Sequence, residues 1–193
     1  VGAGNGTDYL LVGLDTKEVH TGGGLGKEPV LWTHVPHSLP GFREGASPGG
    51  ATVAMPYQLA PGETVCKRFI LAWYSPTWEA DFPWDGAPDE QYVRMYATQF
   101  DSALAIADEI ARNRQELLIA ILAWQAEIYK EKGLPGWLRD SLINSLHLFP
   151  ECGFWAAGEA PVAWAGPEGV YSLVESTTAD GQQSCIPCDW YGH

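Results

Sequence analysis

The sequence predicts a mixed β and α fold, with an antiparallel β region first and helices after it. Three observations carry this reading. From Val1 to about Trp73, glycine and proline punctuate short apolar or alternating runs of strand character. From about residue 101 to 131, Ile106, Ile110, Leu117, Ile121, Trp124 and Ile128 recur on one helical stripe. Leu138, Leu142, Leu146 and Phe149 then repeat the helical spacing.

Within the β region the strand-like runs are Tyr9 to Leu14, Val30 to Val35, Ala51 to Leu59 and Thr64 to Trp73, and a β-sandwich or the end of one accommodates them best. The stretch Leu59-Ala-Pro-Gly-Glu-Thr is a turn by chemistry, because Pro61 pre-sets φ and Gly62 supplies a positive φ. Gly22-Gly-Gly-Leu-Gly reads as a loop, since no Lys-Ser/Thr and no helix pattern follow it to dock a phosphate. Between Ser75 and Glu90 the composition shifts to Pro, Asp, Trp and Gly, which marks a structured linker and a boundary. The long helix has Asp101 or Ser102 as N-cap candidates and Gly133 as its stop. The second helix is expected to begin after Leu134, with Pro135 in its first turn, and to end at Pro150. From Glu151 to His193 the chain reads as long loops with one strand-like run, Gly169-Val-Tyr-Ser-Leu-Val.

With 193 residues, 46% of them hydrophobic, the chain has the material for one ordinary domain or two small ones, which excludes a disordered tail. Lys+Arg 11 against Asp+Glu 24 gives a net charge of -13, so nucleic acid and anionic membranes are repelled and are not expected partners. The longest apolar run, Leu117 to Trp124, is less than half of the roughly 20 residues a membrane span needs, so no transmembrane segment is expected. The chain opens on Val1 without a signal-peptide pattern, and is expected to be an internal or processed piece whose compartment is not legible. Nine Trp, eight Tyr and six Phe raise the aromatic share to 12%. Aromatic rings over carboxylates line sugar-binding clefts, but composition alone favours a Trp-rich core.

Candidate chemistry concentrates near the C-terminal end, in Glu175, Asp180, Cys185, Cys188, Asp189 and His193. Glu175 follows the run Tyr171-Ser-Leu-Val, where a carboxylate is held at the rim of a cleft or stays a solvated loop acid. Carboxylate pairs serve glycoside hydrolysis, one attacking or activating water and one protonating the leaving oxygen, but no second member declares itself here. Cys185-Ile-Pro-Cys188 is a C-x-x-C without a second half-site, with Cys152 and His193 as the available complements. Packed, reduced cysteines and no metal are expected. His147 reads as a packed or surface residue, and His20, His34 and His37 form no ligand spacing.

The order Pro61-Gly-Glu, Phe69-Ile-Leu-Ala-Trp-Tyr-Ser-Pro76, Tyr92-Val-Arg-Met-Tyr96, Ala123-Trp124 and Leu134-Pro-Gly-Trp-Leu-Arg-Asp-Ser-Leu-Ile-Asn-Ser-Leu146 resembles glycoside hydrolase family 116, the family of non-lysosomal (bile-acid) glucosylceramidases. The likeness covers about Pro61 to Trp155 and resumes from Val170 to Asp189. It implies that residues 1–75 end an N-terminal β-sandwich, 76–133 form a linker and connecting helix, and 134–193 open an (α/α)6 catalytic barrel. The family's nucleophile is a Glu in a Tyr-Leu-Glu-Gly type motif, to which Tyr171-Ser-Leu-Val-Glu-Ser corresponds, so the resemblance gives that role to Glu175 with Ser in place of Gly. Asp189, before Trp190-Tyr-Gly-His, is the nearest match to a sugar-binding Asp if about three extra residues are allowed.

The function so implied is a retaining β-glycosidase acting on a carbohydrate or glycoconjugate, with no cofactor and with its acid/base Asp beyond His193. The alternative is a non-catalytic carbohydrate-binding or scaffold module of the same fold. On either reading the 193 residues alone are expected to be inactive, because the proton donor is missing. The incomplete half-site also predicts no stoichiometric zinc in elemental analysis of the purified protein, whereas zinc lost on Cys188→Ser would reverse the assignment.

Overall fold

The computed structural model describes residues 6–27, 29–41, 50–80, 90–147, 149–150 and 153–173. It is a mixed β and α structure of small antiparallel two-stranded sheets and one long helix. The chain divides into two compact units, Val1–Tyr74 with Ser102–Arg112, and Ser75–Asp101 with Asn113–His193.

In the first unit β1 (Asp8–Leu14) pairs antiparallel with β4 (Arg68–Tyr74), Leu11 opposite Leu71. Side chains alternate across a strand, so Leu10, Val12, Ile70 and Ala72 share one face and Tyr9, Leu11, Phe69, Leu71 and Trp73 the other. The first face packs on the start of α2 (Ala103–Lys130), where Ala103 and Ala107 are fully buried beside Ile106 and Ile110. Alanine there lets the helix backbone close on the ribbon. On the second face Tyr9, Phe69, Leu71 and Trp73 are exposed. β2 (His20–Gly23) pairs with β3 (Ala51–Ala54), so part of the glycine run expected to be a loop is a strand. Glycine is required at that spot, because a Cβ on Gly22 would stand 2.6 Å from Leu39 Cβ and 2.7 Å from the Pro40 carbonyl.

Three further expectations need correction here. Val30 to Val35 is not a strand: α1 (Pro29–His34) begins at a proline that suits a first helical position, and Thr33 Oγ1 donates back to the Val30 carbonyl at 2.7 Å. The run Ala51 to Leu59 pairs only as far as Ala54, just short of Pro56, which has no N–H to offer a ladder. The run Thr64 to Trp73 enters its strand only at Arg68. The turn before it forms as its chemistry dictates, with Gly62 at φ +81° and the Glu63 N–H bonded to the Ala60 carbonyl at 3.0 Å.

The second unit contains a strand inside the stretch read as a linker, β5 (Thr77–Ala80), paired with β6 (Glu90–Val93) so that Trp78 faces Tyr92. That aromatic cross-strand pair outweighs the turn-rich composition around it. Ser75 is fixed at both backbone atoms by Tyr96, whose hydroxyl accepts from the Ser75 N–H at 2.8 Å and donates to the Ser75 carbonyl at 2.6 Å. After Glu151 the strand-like run from Gly169 forms β8 (Val170–Leu173) as expected, and it pairs with β7 (Gly153–Ala156), a strand in a stretch expected to be loop. Arg94 bridges to Ala156, and the Ala157 N–H donates to the Val93 carbonyl at 2.8 Å, which stitches this hairpin to β6. Phe154 and Ala156 are buried between the two hairpins against Trp78, Tyr92 and Val162.

α2 is capped by Ser102, whose hydroxyl accepts the Ala105 N–H at 3.2 Å. Pro135 stands at the N-cap of α3 (Gly136–Asn144), not inside its first turn, and the α-helix gives way to a 3-10 turn at Ser145–His147 well before Pro150. Between Gln115 and Trp124 every α2 residue is exposed, so Leu117, Ile121 and Trp124 of the predicted stripe are bare while Ile106 and Ile110 are packed. Nor do the described residues form a Trp-rich core: Trp78 packs inside, but Trp32, Trp73, Trp124, Trp137, Trp155 and Trp164 are exposed. Among the described residues, no helix is long and apolar enough to cross a membrane.

The end of α2 is tied to α3 by two bonds. Arg139 Nη1 donates to the Tyr129 carbonyl at 2.7 Å, meeting a carbonyl left open in the last turn, and the Tyr129 hydroxyl donates to Asp140 Oδ1 at 3.0 Å. The bond to Asp140 raises the Tyr129 phenol above its usual value, because ionising it removes the donor and sets two negative charges together. A raised folded value means that the bond's contribution is complete below the unfolded phenol value and is lost as pH climbs through the folded one. Asp140→Asn is therefore expected to lower the Tyr129 midpoint in a spectrophotometric alkaline titration, read by difference against Tyr129→Phe. An unchanged midpoint would show that the two side chains do not meet in solution.

Candidate functional site

β7 carries two aromatic residues in succession, Phe154 and Trp155, and a strand sends neighbours to opposite faces. Phe154 takes the core side, its ring centroid 4.8 Å from Trp78 and 5.8 Å edge-on from Tyr92, with the Arg94 guanidinium 5.7 Å from the ring centre. Trp155 therefore faces out, directly opposite Tyr171 of β8. Trp155 is 50% and Tyr171 45% exposed, so this hairpin has one dry face and one aromatic face open to water. The outer face of an antiparallel hairpin is ordinarily polar, and an aromatic one calls for a reason.

The open rings are held from behind. Trp155 Nε1–H donates to the Glu168 carbonyl at 2.9 Å, and the Tyr171 hydroxyl donates to the Phe149 carbonyl at 3.4 Å. Trp155 and Tyr171 meet edge-to-face with centroids 6.5 Å apart, and Tyr171 lies 6.3 Å from Phe149, so the three rings form a continuous row. Glycine makes the row possible: a Cβ at Gly153 would collide with the Phe149 carbonyl and the Tyr171 hydroxyl. Gly169 leads into β8 at φ +66°, a conformation L side chains rarely adopt, and a Cβ there would strike the Ala156 carbonyl and approach Met95 Cε to 2.6 Å.

The residues singled out from the sequence stand as follows. Glu175 and Asp189 lie outside the described residues, as do Asp180, Cys185, Cys188 and His193. Glu175 comes two positions after Leu173, the last residue of β8. Glu168 is exposed in the turn before β8 and serves the site through its carbonyl. His20 pairs with Glu18 at 3.0 Å on the surface, and His34 ends α1. Among the described residues, no three His, Cys, Asp or Glu side chains gather to hold a metal ion.

The Phe149, Trp155 and Tyr171 row was not anticipated as a site, although Phe154-Trp155 in succession carried the signal. In a half-buried hairpin, one of two adjacent aromatic residues has to face solvent. Chemically the row offers fixed π-faces with their polar tips already bonded, which suits stacking against a flat, weakly positive C–H surface.

No family model matches the chain, and neither a curated protein nor a solved structure does.

Because Gly169 sets the register of the hairpin, Gly169→Ala is expected to cost more than about 1 kcal/mol, from positive φ plus the collision with Ala156. A lowered urea midpoint together with weakened near-ultraviolet dichroism of the Trp155 environment checks this, and a midpoint equal to wild type would refute the geometry.

Proposed function

We propose that this chain belongs to a retaining β-glycosidase resembling glycoside hydrolase family 116, with Glu175 as its nucleophile. The observation that carries the reading is the last hairpin: β8 runs from an open row of aromatic rings to within two residues of Glu175 in the chain. Two further features support the larger architecture. The β1–β4 ribbon is apolar on both faces, as a sandwich strand pair is, and α2 is apolar and bare from Leu117 to Trp124, as a helix is that further barrel helices would cover.

In the proposed reaction a Glu175 carboxylate oxygen attacks the anomeric carbon while the glycosidic C–O bond breaks. The acid/base Asp, carried by chain beyond His193, gives its proton to the departing oxygen. Water, deprotonated by the same Asp, then attacks the glycosyl ester and frees Glu175 with the anomeric configuration retained. Asp189 holds sugar hydroxyls. No metal or cofactor takes part in this scheme.

The exposed ring row serves equally well in a carbohydrate-binding module without catalysis, and one substitution separates the two. Glu175→Gln in the full-length protein is nearly isosteric but removes the charge that bonds to an oxocarbenium-like carbon. Hydrolysis of an aryl β-glucoside is expected to fall by at least about a thousandfold, roughly 4 kcal/mol of transition-state stabilisation, with unchanged circular dichroism. Asp189→Asn should weaken turnover yet still allow slow labelling of Glu175 by an activated fluoro-glycoside. A sugar adduct on another carboxylate, Glu168 or Asp180 first, would overturn the assignment, and so would wild-type turnover by Glu175→Gln. The 193 residues alone are expected not to hydrolyse the aryl glycoside at all.

A further inference from the structure

We draw no further inference here: the strongest candidate, the apolar surface patch that α2 exposes from Leu117 to Trp124, carries none because nothing in the structure shows what covers it.

Discussion

Much of this structure depends on one helix that is packed at its start and bare further on. α2 enters under the β1–β4 ribbon through Ala103 and Ala107, where the absence of long side chains lets Ile70 and Ala72 reach the helix surface. From Gln115 to Trp124 its side chains meet water on every side, although Leu117 to Trp124 contains no polar residue. A fully buried Leu or Ile contributes about 1.5–3 kcal/mol, so the half-exposed large residues in this stretch leave on the order of 5 kcal/mol unrealised. Propensity alone does not offset that: Leu, Ala, Gln and Glu favour helix by tenths of a kcal/mol each. A stretch apolar all round belongs to a core, and the physics asks for neighbours on several sides of it.

The ribbon poses the same demand in β form. Its inner face is satisfied by α2, yet Tyr9, Phe69, Leu71 and Trp73 on the outer face remain open. A strand pair apolar on both faces is the mark of a layer covered on both sides. Two secondary-structure types thus show unsaturated burial at once, which is the expected state of elements whose partners come from a larger assembly of layers.

Legibility in the sequence followed the strength of each local signal. Long periodicity was readable: α2 lies where its stripe and Ser102 place it, and β1 and the Pro61-Gly62 turn need nothing beyond alternation and turn chemistry. Four-residue strands were read unevenly: β3 and β8 fall inside strand-like runs, whereas β2, β5 and β7 were not foreseen. β5 and β7 have too few residues to show a period, and each owes its existence to a distant partner, Trp78 to Tyr92 and Trp155 to Tyr171. Val30 to Val35 misled in the opposite direction, because a short apolar run suggested a strand where Pro29 and the Thr33 back-bond favour a turn of helix. For the site, periodicity and spacing marked Glu175 only as an acid after an apolar run. The row of exposed rings became visible once the hairpin register showed which of Phe154 and Trp155 faces outward.

The division of labour across β7 then explains why, among the described residues, only part of the aromatic share enters the core. Phe154, Trp78 and Tyr92 form a compact three-ring cluster with centroid separations of 4.8 to 5.8 Å, which is the packing the second unit needs. Trp155 and Tyr171 add nothing to that core, being on the far side of a strand only one residue thick. Holding them there costs rotamer freedom and exposes apolar area, and both costs are met by hydrogen bonds to the Glu168 and Phe149 carbonyls. Such bonds do more than satisfy the polar tips. They turn two flexible rings into fixed surfaces backed by a packed core, and a fixed surface is what a weak stacking interaction needs if it is to orient a ligand as well as attract it.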